Sequence, residues 1–135
     1  MEATVYSVMY LPDKTATDMA QGFAYINEDV LAQSKPGAGS ATTLELVVLP
    51  VARDLSRVEA ETALFATGAT FATIEQVMTL FMQRRLDDGY YLARGSGLFG
   101  GKRAYVCNNG RRPQVMTEGS WAFAPAGAFL VGVKK

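Results

Sequence analysis

The period of apolar and polar positions changes several times along the chain. Residues 4–10, Thr-Val-Tyr-Ser-Val-Met-Tyr, are rich in β-branched and aromatic side chains and end at Leu11-Pro12-Asp13, which predicts a first strand and a turn. Met19, Phe23, Ile26 and Val30 then recur at spacings of three and four. That stripe predicts a helix with Thr15 or Thr17 as N-cap, stopping near Ser34 ahead of Pro36. Leu44-Glu45-Leu46-Val47-Val48-Leu49 is almost continuously apolar, as expected of an interior strand covered on both faces.

Two capping boxes follow. Ser56-Arg57-Val58-Glu59 opens a helix expected to run to about Ala66 and end at Gly68. Thr73-Ile74-Glu75-Gln76 opens another, whose stripe of Ile74, Val77, Met78 and Phe81 gives way to Arg84 and Arg85 in the last turn before Asp87-Asp88-Gly89. Five short strands are predicted beyond that: 90–94, 103–107, 114–117, 121–124 and 128–133. Asn109-Gly110 between the second and third is a type I′ hairpin signal.

The predicted fold class is α+β: an N-terminal β-α-β-α-α segment followed by a C-terminal antiparallel β-meander. With 135 residues, the expectation is a single compact domain over 1–135. The alternative is a division into a mixed part, 1–88, and the meander, 89–135.

Composition narrows the chemistry. Apolar residues make up 49% and charged residues 19%, the reverse of a disordered chain. There is no histidine and one cysteine, Cys107. This excludes Ser-His-Asp and Cys-His catalysis, His/Cys zinc sites and disulfides within the chain. No cofactor or metal is implied, and catalysis has poor raw material. The longest apolar stretches are far short of the about 20 residues of a membrane helix. Met1-Glu2 is not followed by a basic and then an apolar region, so no secretory signal is expected. The expected setting is cytoplasmic or intracellular, including incorporation in a viral particle, with no membrane contact.

The formal net charge is zero, yet residues 1–83 carry four basic and ten acidic side chains (−6) and residues 84–135 nine basic and three acidic (+6). Such segregation suits self-association or an acidic partner. It equally suits two halves whose charges interleave on one surface. The first functional expectation is therefore a non-enzymatic protein-protein interaction or assembly protein, a homo-oligomer or a component of a larger, virion-like assembly, docking by a sheet edge or by basic–acidic contact.

A second expectation is nucleic-acid binding. Arg94, Lys102, Arg103, Arg111 and Arg112 would hold phosphates, and Tyr90, Tyr91, Tyr105, Phe99, Trp121 and Phe123 would offer stacking surfaces. The plainer reading is that alternation buries about half of these rings in the core. A third expectation is a small-ligand or anion site in the loop containing Gly95, Ser96, Gly97, Gly100 and Gly101. Its GxGxxG leads from strand to strand rather than into a helix, so it is not a dinucleotide fingerprint. It also fails the Walker A pattern at Ser96 and Arg103. What remains is a glycine-rich loop whose backbone N–H groups can cradle an anion, or simply a hairpin linker.

Overall fold

The nearly continuous apolar run at 44–49 becomes the centre of β3 (Thr42–Pro50) in the computed structural model, which describes residues 2–98, 101–110, 112–119 and 123–134. Successive side chains of a strand point to opposite faces. Leu46 and Val48 therefore enter one core while Leu49 packs against the other, and Val47 is fully buried between them in sequence. β1 (Thr4–Tyr10) pairs antiparallel on one side of β3, and β10 (Phe129–Lys134) does so on the other. Among the described residues the sheet has eight strands, is mostly antiparallel and does not close into a barrel.

The sheet continues past β10 to β6 (Gly89–Ala93), which runs parallel to it. β7 (Arg103–Asn108) and β8 (Gln114–Glu118) follow as antiparallel hairpins, and β2 (Tyr25–Ile26) closes the far edge parallel to β8. The expected meander thus holds for β6, β7 and β8. β9 (Phe123–Ala124) instead leaves to pair with β4 (Leu55–Ser56) in a separate ribbon. β10 returns to the middle of the sheet between β3 and β6, so the composition break near residue 89 is not a break in the sheet.

Where β6 ends, β5 (Ala69–Phe71) takes over the free side of β10. Gly132 permits this approach. A Cβ there would lie 2.9 Å from the Ala69 Cβ and the Thr70 carbonyl oxygen, and 3.0 Å from a Leu64 methyl.

Both capping boxes form as the sequence predicts. The Ser56 side chain accepts from Glu59 N–H and the Glu59 carboxylate from Ser56 N–H, starting α2 (Arg57–Phe65). Thr73 and Gln76 do the same for α3 (Ile74–Gln83). α3 stops two residues earlier than expected: Arg84 is an extended C-cap, so neither Arg84 nor Arg85 belongs to the last turn.

The first helix is shorter still. Only Glu28–Gln33 forms α1, capped by the Asn27 side chain. The stretch before it is a turn held by Thr15 and Asp18, a 3-10 turn at Ala20–Gly22, and β2. Gly22 weakens a helix at the middle of the stripe, and Asn27 offers a fresh N-cap. Met19, Phe23, Ile26 and Val30 are nevertheless all buried, so the stripe marks the core correctly and the element wrongly. The β7–β8 turn also differs. Gly110 has φ +83°, but no described non-glycine residue has positive φ, so Asn109-Gly110 is not type I′.

Two cores result. The larger lies under α3, α1 and the 16–30 segment. The smaller lies under α2 and the β4–β9 ribbon, on the other face. Among the described residues no helix is long and apolar enough to cross a membrane.

Candidate functional site

Alternation along β6 sends Tyr91 and Ala93 into the larger core and turns Leu92 and Arg94 to the other face. Tyr91 is a core ring, stacked on Phe129 at 4.6 Å and edge-on to Phe81 at 4.9 Å, with its hydroxyl donating to the Asp87 carbonyl. Burial pushes its pKa up. Tyr90 remains half exposed and meets Tyr105 edge-to-face at 5.7 Å.

The described basic residues singled out by sequence have different partners. Arg94 has a fully buried side chain whose Nη2 lies 2.8 Å from Glu118 Oε1, at the end of β8. Burial pulls its pKa down to about 10, against the opposing effect of Glu118, so it stays cationic at neutral pH. Burial also raises the Glu118 carboxyl, outweighing Arg94. Lys102 reaches Asp29 of α1 at 3.0 Å. Arg103 Nη1 donates to the carbonyls of Gly101 and Lys102 in its own loop. Arg112 donates to the carbonyls of Gln21 and Phe23. Arg111 and the rings of Phe99 and Trp121 lie outside the described residues. The four described cations do not converge on one patch.

The glycine-rich loop is partly structural. Gly95 N–H donates to the Ala72 carbonyl at 2.8 Å. The Ser96 hydroxyl accepts from Ile74 N–H at 2.8 Å, adding a second cap to α3. Gly97 is open, Gly101 has φ +74°, and Gly100 lies outside the described residues. A cavity of about 270 Å³ beside the loop is lined by Ser34, Lys35, Glu75, Ser96 and Gly97. Ser34 Oγ donates to Glu75 Oε2 at 2.7 Å. An anion placed there would meet the Glu75 carboxylate as well as Lys35.

No family model, curated protein or solved structure matches the chain. The functional reading therefore rests on its own surfaces, and two stand out.

The first is the outward face of α2. Ala60 and Leu64 face the smaller core, but Val58 and Phe65, seven residues apart, are 71% and 72% exposed. Beside them a groove of about 400 Å³ runs between α2 and β5, lined by Leu64, Phe65, Ala69 and Phe71, with Glu61 and Thr62 at its rim. A helix that is apolar on both sides is not explained by one core.

The second is a cleft of about 750 Å³ at the end of the sheet where α3 leaves and the β7–β8 hairpin turns. Arg84, Arg85 and Arg112 line it, together with Asp88 and Asn108. Sequence reasoning assigned Arg84 and Arg85 to the helix dipole and missed this grouping. The available signal was the β6–β7 hairpin, because pairing Gly89 with Asn108 carries residues 84–88 and 109–113 to the same end of the sheet.

The sheet edges look less available. On β1, Met9 N–H donates to Gln83 Oε1 at 3.0 Å, Gln83 Nε2 donates to the Met9 carbonyl at 2.7 Å, and Arg84 donates to the Ser7 carbonyl at 2.7 Å. The opposite edge strand, β2, is two residues long. Blocked and very short edges are the usual means of preventing strand addition.

Proposed function

We propose that this chain is a non-enzymatic interaction protein that self-associates, with a second copy seated on the outward face of α2. The exposure of Val58 and Phe65 on a helix already anchored by Ala60 and Leu64 carries this reading. Paired apolar residues on a free helix face mark contact surfaces.

A second copy fits because the face is self-complementary. Two α2 helices crossing antiparallel about a twofold axis place Val58 of each copy against Phe65 of the other. Glu61 then opposes Thr62 rather than another carboxylate. Closed twofold contacts of this kind are the commonest in homo-oligomers. With the edge of β1 capped, a face contact is favoured over sheet-edge docking.

A standard interface takes about 800 Å² per partner, roughly a tenth of a small protein's surface. A nine-residue helix and its groove fall short of that, so the contact is weak in a dimer. Weak contacts become useful when many copies are held together, as in a virion-like assembly.

Size-exclusion chromatography with light scattering over a wide concentration range tests this. The expected result is a concentration-dependent dimer that Phe65→Ser or Val58→Ser returns to monomer without loss of thermal stability. A monomer at every concentration, or an oligomer indifferent to both substitutions, would refute it.

A further inference from the structure

We propose that the cleft lined by Arg84, Arg85 and Arg112 binds the phosphates of a nucleotide. Among the described residues three arginines and one carboxylate, Asp88, line this cleft, which leaves a net positive site. They reach it from two separate segments, the exit of α3 and the hairpin after β7.

Two of the three are held in place. Arg84 Nη2 donates to the Ser7 carbonyl at 2.7 Å, and Arg112 Nη2 donates to the carbonyls of Gln21 and Phe23. A guanidinium has five N–H donors in a rigid fork, so each retains donors after these bonds. Anchoring removes rotamer freedom before a ligand arrives, which lowers the cost of binding. Arg85 makes no hydrogen bond or ion pair among the described residues and is exposed. It can therefore turn towards an anion without breaking a contact of the fold.

The remaining walls suit the rest of a nucleotide. Phe81, Met82, Leu86 and Pro113 give an apolar side. Asn108 spends its amide N–H donors on the carbonyls of Leu86 and Asp87, leaving its oxygen as an acceptor. Asp88 and that oxygen can accept from sugar hydroxyls or base amino groups. The volume falls within the roughly 300–1,000 Å³ typical of small-molecule sites. Bare phosphate would use the arginines and none of the other walls. Free nucleotides and nucleic-acid strands share the phosphate chemistry.

The test is a calorimetric titration of the full chain with ATP, inorganic phosphate and a short single-stranded DNA, at low and high salt. The expected result is saturable one-to-one binding of ATP, tighter than inorganic phosphate and weakened by salt. Arg85→Ala should weaken it roughly tenfold or more, the loss of one charge-assisted hydrogen bond. Thermal unfolding should be unchanged in that variant. Strand binding far above ATP, with the same loss in Arg85→Ala, would support the phosphate site and assign its phosphates to a nucleic acid. Absence of binding to both, equal affinity for inorganic phosphate, or indifference to Arg85→Ala would overturn the proposal. Phe65→Ser should leave the titration unaltered, so this result is independent of self-association.

Discussion

Replacing Gly95 with alanine should destabilise the fold strongly, whereas the same change at Gly97 should not. A Cβ at Gly95 would lie 2.6 Å from the Phe71 carbonyl oxygen, 2.7 Å from the Ala72 oxygen and 2.8 Å from the Ala72 carbonyl carbon. All three neighbours are backbone, and that backbone is fixed. Ala72 N–H donates to the Val131 carbonyl at 3.0 Å, and Phe71 is in register with Gly132. Relief of the clash must therefore move either the end of β5 or the Gly95 backbone. The second route loses the 2.8 Å bond from Gly95 N–H to Ala72. Overpacking of this kind costs about 1–3 kcal/mol, and a lost backbone hydrogen bond about 1 kcal/mol. The sum is about 2–4 kcal/mol, or a fall in Tm on the order of 10 °C for a chain of this size. At Gly97 a Cβ would meet only Arg103 Nη1, at 3.8 Å, and φ is not in the left-handed range. Gly97→Ala should change stability by less than about 1 kcal/mol, and in the favourable direction if the unfolded chain is stiffened. Urea unfolding followed by circular dichroism reads both variants. A Gly95→Ala protein within about 0.5 kcal/mol of the parent, or equal losses at the two positions, would refute the assignment of Gly95 to packing.

The Arg94–Glu118 pair should respond asymmetrically. Glu118→Ala removes the carboxylate from beside a guanidinium with no exposure and should cost about 3 kcal/mol. Arg94→Met leaves a carboxylate that is 31% exposed and should cost less, and the double variant Arg94→Met with Glu118→Leu should recover most of the loss in denaturant unfolding. Acidification should weaken the α2 cap. The Ser56 N–H and Arg53 hold the Glu59 carboxyl below its ordinary value of 4.5. Its contribution is therefore complete above that value and lost as pH falls through the lower folded pKa. Thermal melts between neutral and acid pH should show a smaller loss in Glu59→Gln than in the parent; parallel losses would dismiss the cap as a source of acid sensitivity.

Features written in neighbouring residues were legible. Ser56 with Glu59 and Thr73 with Gln76 locate two helix starts, because each box is a reciprocal bond over three residues. The apolar run at 44–49 identified a strand covered on both faces. Features that depend on distant partners were not. β2 and β4 are two residues long and carry no periodicity, and β9 lies within the strand predicted at 121–124 but pairs with β4. They exist because β8 and each other supply the hydrogen bonds. The docking of β5 on β10 depends on Gly132, whose missing side chain lets α2 and β5 close over it. A single glycine in an apolar strand does not announce that role.

The same distinction governs the candidate sites. Basic residues clustered in sequence from 94 to 112 suggested one basic surface; of the described ones, Arg94 and Arg103 lie near one another, while Lys102 and Arg112 reach α1 and the segment at Gln21–Phe23. The acidic first part and the basic last part are instead fastened to one another. Lys102 binds Asp29, Arg84 binds the Ser7 carbonyl, and Arg112 binds the segment at Gln21–Phe23. Only the first of these pairs opposite charges; the other two are arginines on backbone carbonyls. What remains is local: Arg85 beside two anchored arginines, with Asp88 opposing them in the cleft. The proposed self-association draws on apolar contact, which α2 presents through Val58 and Phe65, on a surface separate from that cleft. Salt is the variable that separates the two surfaces. Raising it should weaken phosphate binding at the arginines, because screening acts on charge, and should leave the α2 dimer intact or slightly tighter, because apolar burial does not depend on charge. A dimer that dissolved with salt would move the contact away from Val58 and Phe65.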